Sequence, residues 1–339
     1  MAMISSIQLL RFVAASLIVL NHSIKEFSGS QTFGEFGVDI FFVISGFVIS
    51  HITQGENEHF FTRRLVRIVP LYGLFTLAIA AIAYVAPHFL RTVKWDVYHF
   101  VASLLFIPWW TESLKFSPIL PMGWTLNYEI WFYLLFYVAV QISVGYREIV
   151  CSLLIVCVYA ITSLLPLDDT ATLAFYSNSI VLEFIFGMAI SVLYRSKKTV
   201  FESLPRPVVL SIAIAAPVAF YYTTYVSNLD LPRCVYWGLP ACGCVLVCLS
   251  SEGHFNQFPR RMISAVLVAG EISYPLYLIH MFLIAGISRV AGISNLSILP
   301  GFVLALLLSS VASFVVSECF DKPTRRVLRA ALLNRSAPA

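Results

Sequence analysis

IQLLRFVAASLIVLNHS, residues 7–23, is an apolar run that carries an arginine, Arg11, and a histidine, His22. A run of this length and composition reads as a helix crossing a bilayer. At roughly 100° and about 1.5 Å per residue, the eleven steps between the two residues return to almost the same face and separate them by roughly 16 Å. A cation and a proton acceptor therefore line one intramembrane track. Arginine at bilayer depth costs about 2.5 to 3.5 kcal/mol on insertion scales, so it is expected to face a polar interior and to serve function.

Outward from this segment the whole chain has the same character. Of its 339 residues 59% are hydrophobic and 12% charged, and its mean hydropathy is +0.84, which leaves too little polar surface for a soluble domain of this size. Apolar runs of about 17 to 25 residues predict about ten spans, beginning near Ser5, Gly37, Pro70, Met122, Ile149, Ser177, Pro207, Cys234, Val268 and Ser297. The second is short. Phe100 to Pro108 is shorter still and reads as a re-entrant or interfacial piece. The expected fold is an all-α polytopic transmembrane helical bundle: one integral-membrane domain over 1–326 and a short tail over 327–339, disordered after Leu333. No solenoid repeat or similarity between halves is evident.

Cytoplasmic loops retain Lys and Arg. With the N-terminus inside, the loops at 63–67, 147, 195–206 and 260–261 and the C-terminal segment from Lys322 hold fifteen of the twenty-two basic residues, and the outer loops hold six. Arg11 is the remaining one. Both termini are therefore expected in the cytoplasm. The net charge of +4 is accounted for by this topology and calls for no nucleic-acid partner. The first span lacks a basic leader and a small-residue cleavage site, so it reads as a retained anchor. The seven cysteines lie almost entirely within spans, without metal or disulfide spacing, and read as packing residues. Trp95, Trp109, Trp110 and Trp124 fall in or beside the long outer connection, as interfacial anchors or as a platform on which sugar rings stack.

Several polar groups sit where hydrocarbon is expected. Asp39 opens the second span (GEFGVDIFFVISGFVIS) on the same side as His22; it either orients that imidazole or simply complements a helix N-terminus. Ser45 and Gly46 in this span permit close helix packing. Arg64 and Arg67, three apart in FFTRRLVRIVPLY, could grip a phosphate with fixed donors or mark an inner loop. Glu129 in GWTLNYEIWFYLLF needs a partner at its depth, which Arg11, His22 or a substrate donor would supply. In EISYPLYLIHMF, Ser273, Tyr277 and His280 share one helical face, as a functional stripe or as a satisfied structural histidine. Basic groups thus cluster inside and imidazole and carboxylates outside, which suits an anionic cytoplasmic donor with a long arm, such as a coenzyme A thioester. A transporter or flippase of lipid-linked sugar is the competing class.

Taken together, Arg11 to His22, GEFGVDIFFVISGF, RRLVRIVPLY, GWTLNYE, SYPLYLIH and the element from Glu318 to Pro323 resemble the membrane-bound acyltransferase family 3, from about Ile4 to Arg326. The wording is most similar to the exopolysaccharide (succinoglycan-type) O-acetyltransferase branch. The resemblance implies an enzyme of the bacterial inner membrane that uses cytoplasmic acyl-CoA, most simply acetyl-CoA, and no metal. It would acylate a hydroxyl of an exported or cell-envelope polysaccharide or its lipid-linked precursor. It implies that His22 is catalytic and Arg11 required, that Arg64 and Arg67 form the family's inner-loop arginine motif, and that Trp124 and Glu129 form the W-x-x-x-x-E element; Arg11, Arg64, Arg67 and Tyr72 are the expected donor contacts. The expected chemistry is direct transfer with His22 as general base and Asp39 or Glu129 orienting it, an acyl-histidine being the variant. Trp124, Ser273, Tyr277 and His280 are the expected acceptor contacts.

Overall fold

The computed structural model describes residues 4–29, 33–53, 59–90, 93–113, 115–168, 170–202, 204–226, 230–255, 257–290 and 297–333. The expected disordered tail after Leu333 lies outside them. The described chain is a succession of α-helices: α1 (Ser5–Ser28), α2 (Gly37–Ile52), α3 (Phe60–Val85), α4 (Val97–Leu104), α5 (Trp124–Ile142), α6 (Arg147–Leu164), α7 (Glu183–Ser196), α8 (Lys198–Glu202), α9 (Arg206–Tyr225), α10 (Leu239–Phe255), α11 (Arg260–Val290), α12 (Ile298–Val316) and α13 (Lys322–Leu333). Its β structure is one isolated bridge, Thr111 to Lys115, among the described residues. This is the all-α polytopic membrane bundle expected, because a backbone in hydrocarbon must satisfy its own hydrogen bonds.

Among the described residues eight segments are long and apolar enough to cross a membrane, and they fall at α1, α3, α6, α7, α9, α10, α11 and α12. The other two expected spans are helices as well. The 16 residues of α2 are few, and Asn127, Glu129 and Gln141 dilute the apolar content of α5. Two boundaries differ from expectation. α3 begins at Phe60 and runs through Pro70, so Arg63, Arg64 and Arg67 are helical and not in a loop. α11 likewise begins at Arg260 and runs through Pro275. Proline marks a helix start in water, but within membrane bundles neighbouring groups re-satisfy the carbonyl it strands, so the helix continues.

The chain divides into two units, Met1–Ile52 with Leu182–Ser317 and Thr53–Val181 with Glu318–Ala339. In the first, α1 packs on α2, α10, α11 and α12. Small residues allow this, since Ser6, Ala14, Ala15 and Ser23 are buried along it beside Ile18 and Val19. The N-terminus of α1 has no acidic residue of its own; Glu252 of α10 supplies one, accepting from the Ser5 and Ser6 amides at 2.8 Å each. That contact satisfies two orphan donors and complements the helix dipole.

Helix directions in this unit follow from the contacts. Gln8 lies against Gly270 and His22 against His280, so α1 and α11 run parallel. Gly34 lies against Leu17 and Gly37 against Ala14, so α2 returns antiparallel to α1. Phe42 stacks on Phe184, Gly46 meets Gly187, and Arg195 donates to the Ser50 carbonyl, so α2 and α7 are parallel. A Cβ on Gly187 would stand 2.0 Å from the Val43 carbonyl oxygen, and one on Gly46 2.1 Å from that of Phe184. Only glycine allows so close an approach. Parallel spans are separated by an even number of steps in the chain, so residues 53–181 must cross an odd number of times between α2 and α7. Among the described residues they contain three long helices, α3, α5 and α6.

In the second unit α3 packs on α5 and α13, and α5 on α6. Its interior is aromatic, with Tyr128 stacked 3.9 Å from Phe175 and Phe132 and Phe136 buried. The short α4 falls near the expected interfacial piece; the Asp96 carboxylate caps it by accepting from the His99 amide.

Candidate active site

Near one end of α1 the His22 ring meets two acceptors. Its Nδ1 lies 2.9 Å from the Ile18 carbonyl oxygen and 3.1 Å from Nε2 of His280. Nδ1 of His280 in turn lies 3.2 Å from the Leu276 carbonyl oxygen. A carbonyl oxygen only accepts, so each Nδ1 carries its hydrogen and, in neutral rings, each Nε2 carries a lone pair. His280 Nε2 therefore accepts from His22 Nδ1–H, which it shares with Ile18. His22 is left with the basic lone pair on Nε2. The rings are 5.0 Å apart between centroids; His280 is fully buried and His22 half-buried. Eleven residues earlier on the same helix, Arg11 donates to Gln8 Oε1 at 3.4 Å.

The other residues of the α11 stripe also face inward. Ser273 is fully buried and its hydroxyl donates to the Gly270 carbonyl at 2.7 Å. Tyr277 is buried with its ring 6.1 Å from His280 and 6.2 Å from Phe41.

Asp39 is not the ring's partner. Both of its oxygens accept from Arg233, from Nε and Nη2 at 2.9 Å each, and Glu35 accepts from Nη1 at 3.0 Å. The fully buried Glu183 stands beside Asp39 and against Gly238. Three carboxylates thus converge on one guanidinium, which also lies 4.7 Å from the Trp237 ring. A shared depth put Asp39 with His22 in the sequence reading; a bidentate cation is the stronger partner for a buried carboxylate than a neutral imidazole.

The second unit brings together two residues that the sequence treats separately. Tyr133 donates to Glu129 Oε1, and the buried Arg64 has its guanidinium 5.9 Å from the Tyr133 ring centroid. Arg67 is half-buried one turn along α3. Tyr72 is fully buried, with its hydroxyl donating to the Ser103 carbonyl at 2.9 Å and its ring 4.7 Å from Phe106. Trp124 is half-buried, edge-on to Tyr128 at 6.0 Å.

Sequence reasoning missed Arg233, Glu183 and Tyr133. Glu183 had a signal, because SIVLEFIFGM places an acid inside an apolar run as GWTLNYEIW does, and intramembrane carboxylates seek a charge. Tyr133 had a weaker one, its i, i+4 spacing from Glu129. Arg233 reads as an ordinary loop residue until the fold brings it to Asp39.

The profile of the acyltransferase domain matches residues 4–318. The exopolysaccharide production protein ExoZ of Rhizobium meliloti is 28% identical over 94% of this chain and 100% of its own length. Acyltransferase MdmB of Streptomyces mycarofaciens is 26% identical over 77% of this chain and 71% of its own length. The peptidoglycan O-acetyltransferase OatA of Listeria monocytogenes is 29% identical over 39% of this chain and 23% of its own length. No solved structure matches. A multi-pass helical chain with polar groups buried along its spans, matched by one family profile over nearly its whole length, belongs to acyltransferase family 3.

Proposed function

We propose that this protein transfers an acyl group, most simply acetyl, from acyl-CoA on the cytoplasmic side of a bacterial inner membrane to a hydroxyl of an exported or cell-envelope polysaccharide or its lipid-linked precursor. The observation that carries the reading is His22 itself: an intramembrane imidazole with its Nδ1–H committed to Ile18 and His280 and its Nε2 lone pair left to act.

In this mechanism Nε2 of His22 takes the proton of the sugar hydroxyl as that oxygen attacks the thioester carbonyl. The tetrahedral intermediate collapses by breaking the C–S bond, and the imidazolium returns its proton to the departing thiolate. Such general-base assistance is worth roughly 10² to 10⁴-fold. Arg11 holds the donor arm or the developing oxyanion. Arg64 and Arg67 are the candidate cations for the donor's phosphates, with Tyr133 and Glu129 holding Arg64 in place. Asp39 is held by Arg233, and the orienting role falls to Glu129 or to another group that meets the His22 ring. Trp124 is the candidate for stacking on an acceptor sugar.

The test is transfer of labelled acetyl from acetyl-CoA to a base-deacylated bacterial exopolysaccharide by the purified protein in nanodiscs. His22→Ala is expected to lose about 10²-fold or more in kcat. A folded His22→Ala protein with most of its activity would refute the assignment. Arg64→Ala with Arg67→Ala is expected to raise KM for acetyl-CoA, and an unchanged KM would remove both from the donor site.

A further inference from the structure

We propose that His280 is the positioning residue for His22: a neutral, buried imidazole on α11 that accepts from His22 Nδ1–H and so holds the ring in the tautomer whose Nε2 is the base. The inference rests on the reading of His22 as the base and names how that base is prepared.

Three observations carry it. His280 Nδ1–H is committed to the Leu276 carbonyl at 3.2 Å, so its Nε2 has only a lone pair to present, and that lone pair is 3.1 Å from His22 Nδ1. His280 is fully buried, its place on the helix set by packing. The approach of the two helices is itself built in, because α1 and α11 meet where Gly270 leaves room for Gln8; a Cβ on Gly270 would stand 2.5 Å from the Gln8 Cβ. A larger residue there would push α11 and His280 away from α1.

The Ile18 carbonyl, one turn back on the same helix, draws the same Nδ1–H and biases the ring toward this tautomer; the His280 lone pair adds to that bias. The second acceptor, on another helix, fixes the ring plane. When Nε2 takes a proton the ring becomes a cation, Nδ1–H becomes a stronger donor, and the His280 lone pair faces it. This is the part that an orienting carboxylate plays in a catalytic triad, here filled by a group without charge. A neutral orienter leaves His22 less basic than a carboxylate would, which suits proton return to a thiolate. Lys25 on α1, Glu35 before α2 and Tyr277 on α11 are the titratable groups nearest the pair. Asp39 on α2 is bound to Arg233, Glu252 of α10 lies at the opposite end of α1, and α12 carries no titratable residue.

The experiment uses the full chain in nanodiscs with ¹⁵N-imidazole histidine, the His22 signal among seven histidines being assigned by its loss in His22→Gln. The wild type is expected to show the Nδ1–H form of His22. His280→Leu removes the acceptor and should shift His22 toward the Nε2–H form and lower kcat about tenfold or more, with KM for acetyl-CoA within about twofold. His280→Gln carries its amide to the place of Nε2 and should keep the tautomer and most of the turnover. His280→Asn reaches only the place of Nδ1 and should behave as leucine does. A folded leucine variant with the wild-type tautomer overturns the proposal. If leucine prevents folding, equal behaviour of Asn and Gln overturns it instead. Should His22→Ala remain active, the base reading fails on that result alone, whereas an inactive His22→Ala with a tautomer indifferent to residue 280 sinks only the role of His280.

Discussion

Arg233 is the residue whose removal should be felt most. It holds Asp39, a fully buried carboxylate, by two hydrogen bonds of 2.9 Å, with Glu35 and the buried Glu183 close by. Deleting one partner of a buried pair strands the other charge, which typically costs about 3 to 5 kcal/mol. Arg233→Ala is expected to destabilise the protein by that amount in denaturant unfolding in detergent, and Arg233→Lys by less, since it keeps the charge and loses the fork. A loss under about 1 kcal/mol for the alanine variant would mean that the cluster is wet and screened. That residues such as Asp39 and Glu129 need partners was legible from their depth. Which partners they take was not, because depth fixes one coordinate and the partner's identity depends on the other two.

At the scale of elements, α2 and α7 are held together through Gly46 and Gly187, each backbone against the other's carbonyl. Gly187→Ala would set a methyl 2.0 Å from the Val43 carbonyl oxygen. The helices would have to part, at a cost of about 1 to 3 kcal/mol. Thermal unfolding of the detergent-solubilised protein checks this, and a variant as stable as the wild type would show that the crossing tolerates separation. The α4 segment offers a pH-dependent case. His99 is buried and donates through Nε2 to the Ser117 carbonyl at 3.0 Å. Burial pushes the imidazole below its ordinary value, against the opposing pull of the Ser117 carbonyl and Asp96. The unfolded segment then takes up a proton more readily than the folded one. Its contribution to stability is present above about pH 6.5 and is lost as the pH falls below that and through the folded value. Amide exchange across residues 99–103, corrected for intrinsic rates, should therefore quicken between pH 7 and pH 5, and His99→Gln should remove the dependence. The helices themselves were legible as apolar runs. Their starts at Phe60 and Arg260 were not: Pro70 suggests a boundary but lies inside α3, and the basic pair Arg260–Arg261 reads as a loop although it forms the first turn of α11.

For the molecule as a whole, the parallel pairs α1 with α11 and α2 with α7 constrain the count of crossings more firmly than hydropathy does. α12 follows α11 after a short connection and packs on it, so it returns toward the end where α1 begins. Tags at the two termini are expected to react with an impermeant reagent from the same side of sealed vesicles, and labelling from opposite sides would contradict the crossing pattern. Sequence by itself determined that the chain is a polytopic helical membrane bundle, because an apolar run in a bilayer has no other way to satisfy its backbone, and its ordered motifs determined the family. Tertiary structure alone decided who meets whom: His22 with His280 across 258 residues, and Asp39 with Arg233 across 194. In a bundle the lateral neighbour of a span is chosen by the fit of small residues and buried charges between helices distant in the chain, and that fit is a property of pairs of segments which no single segment carries.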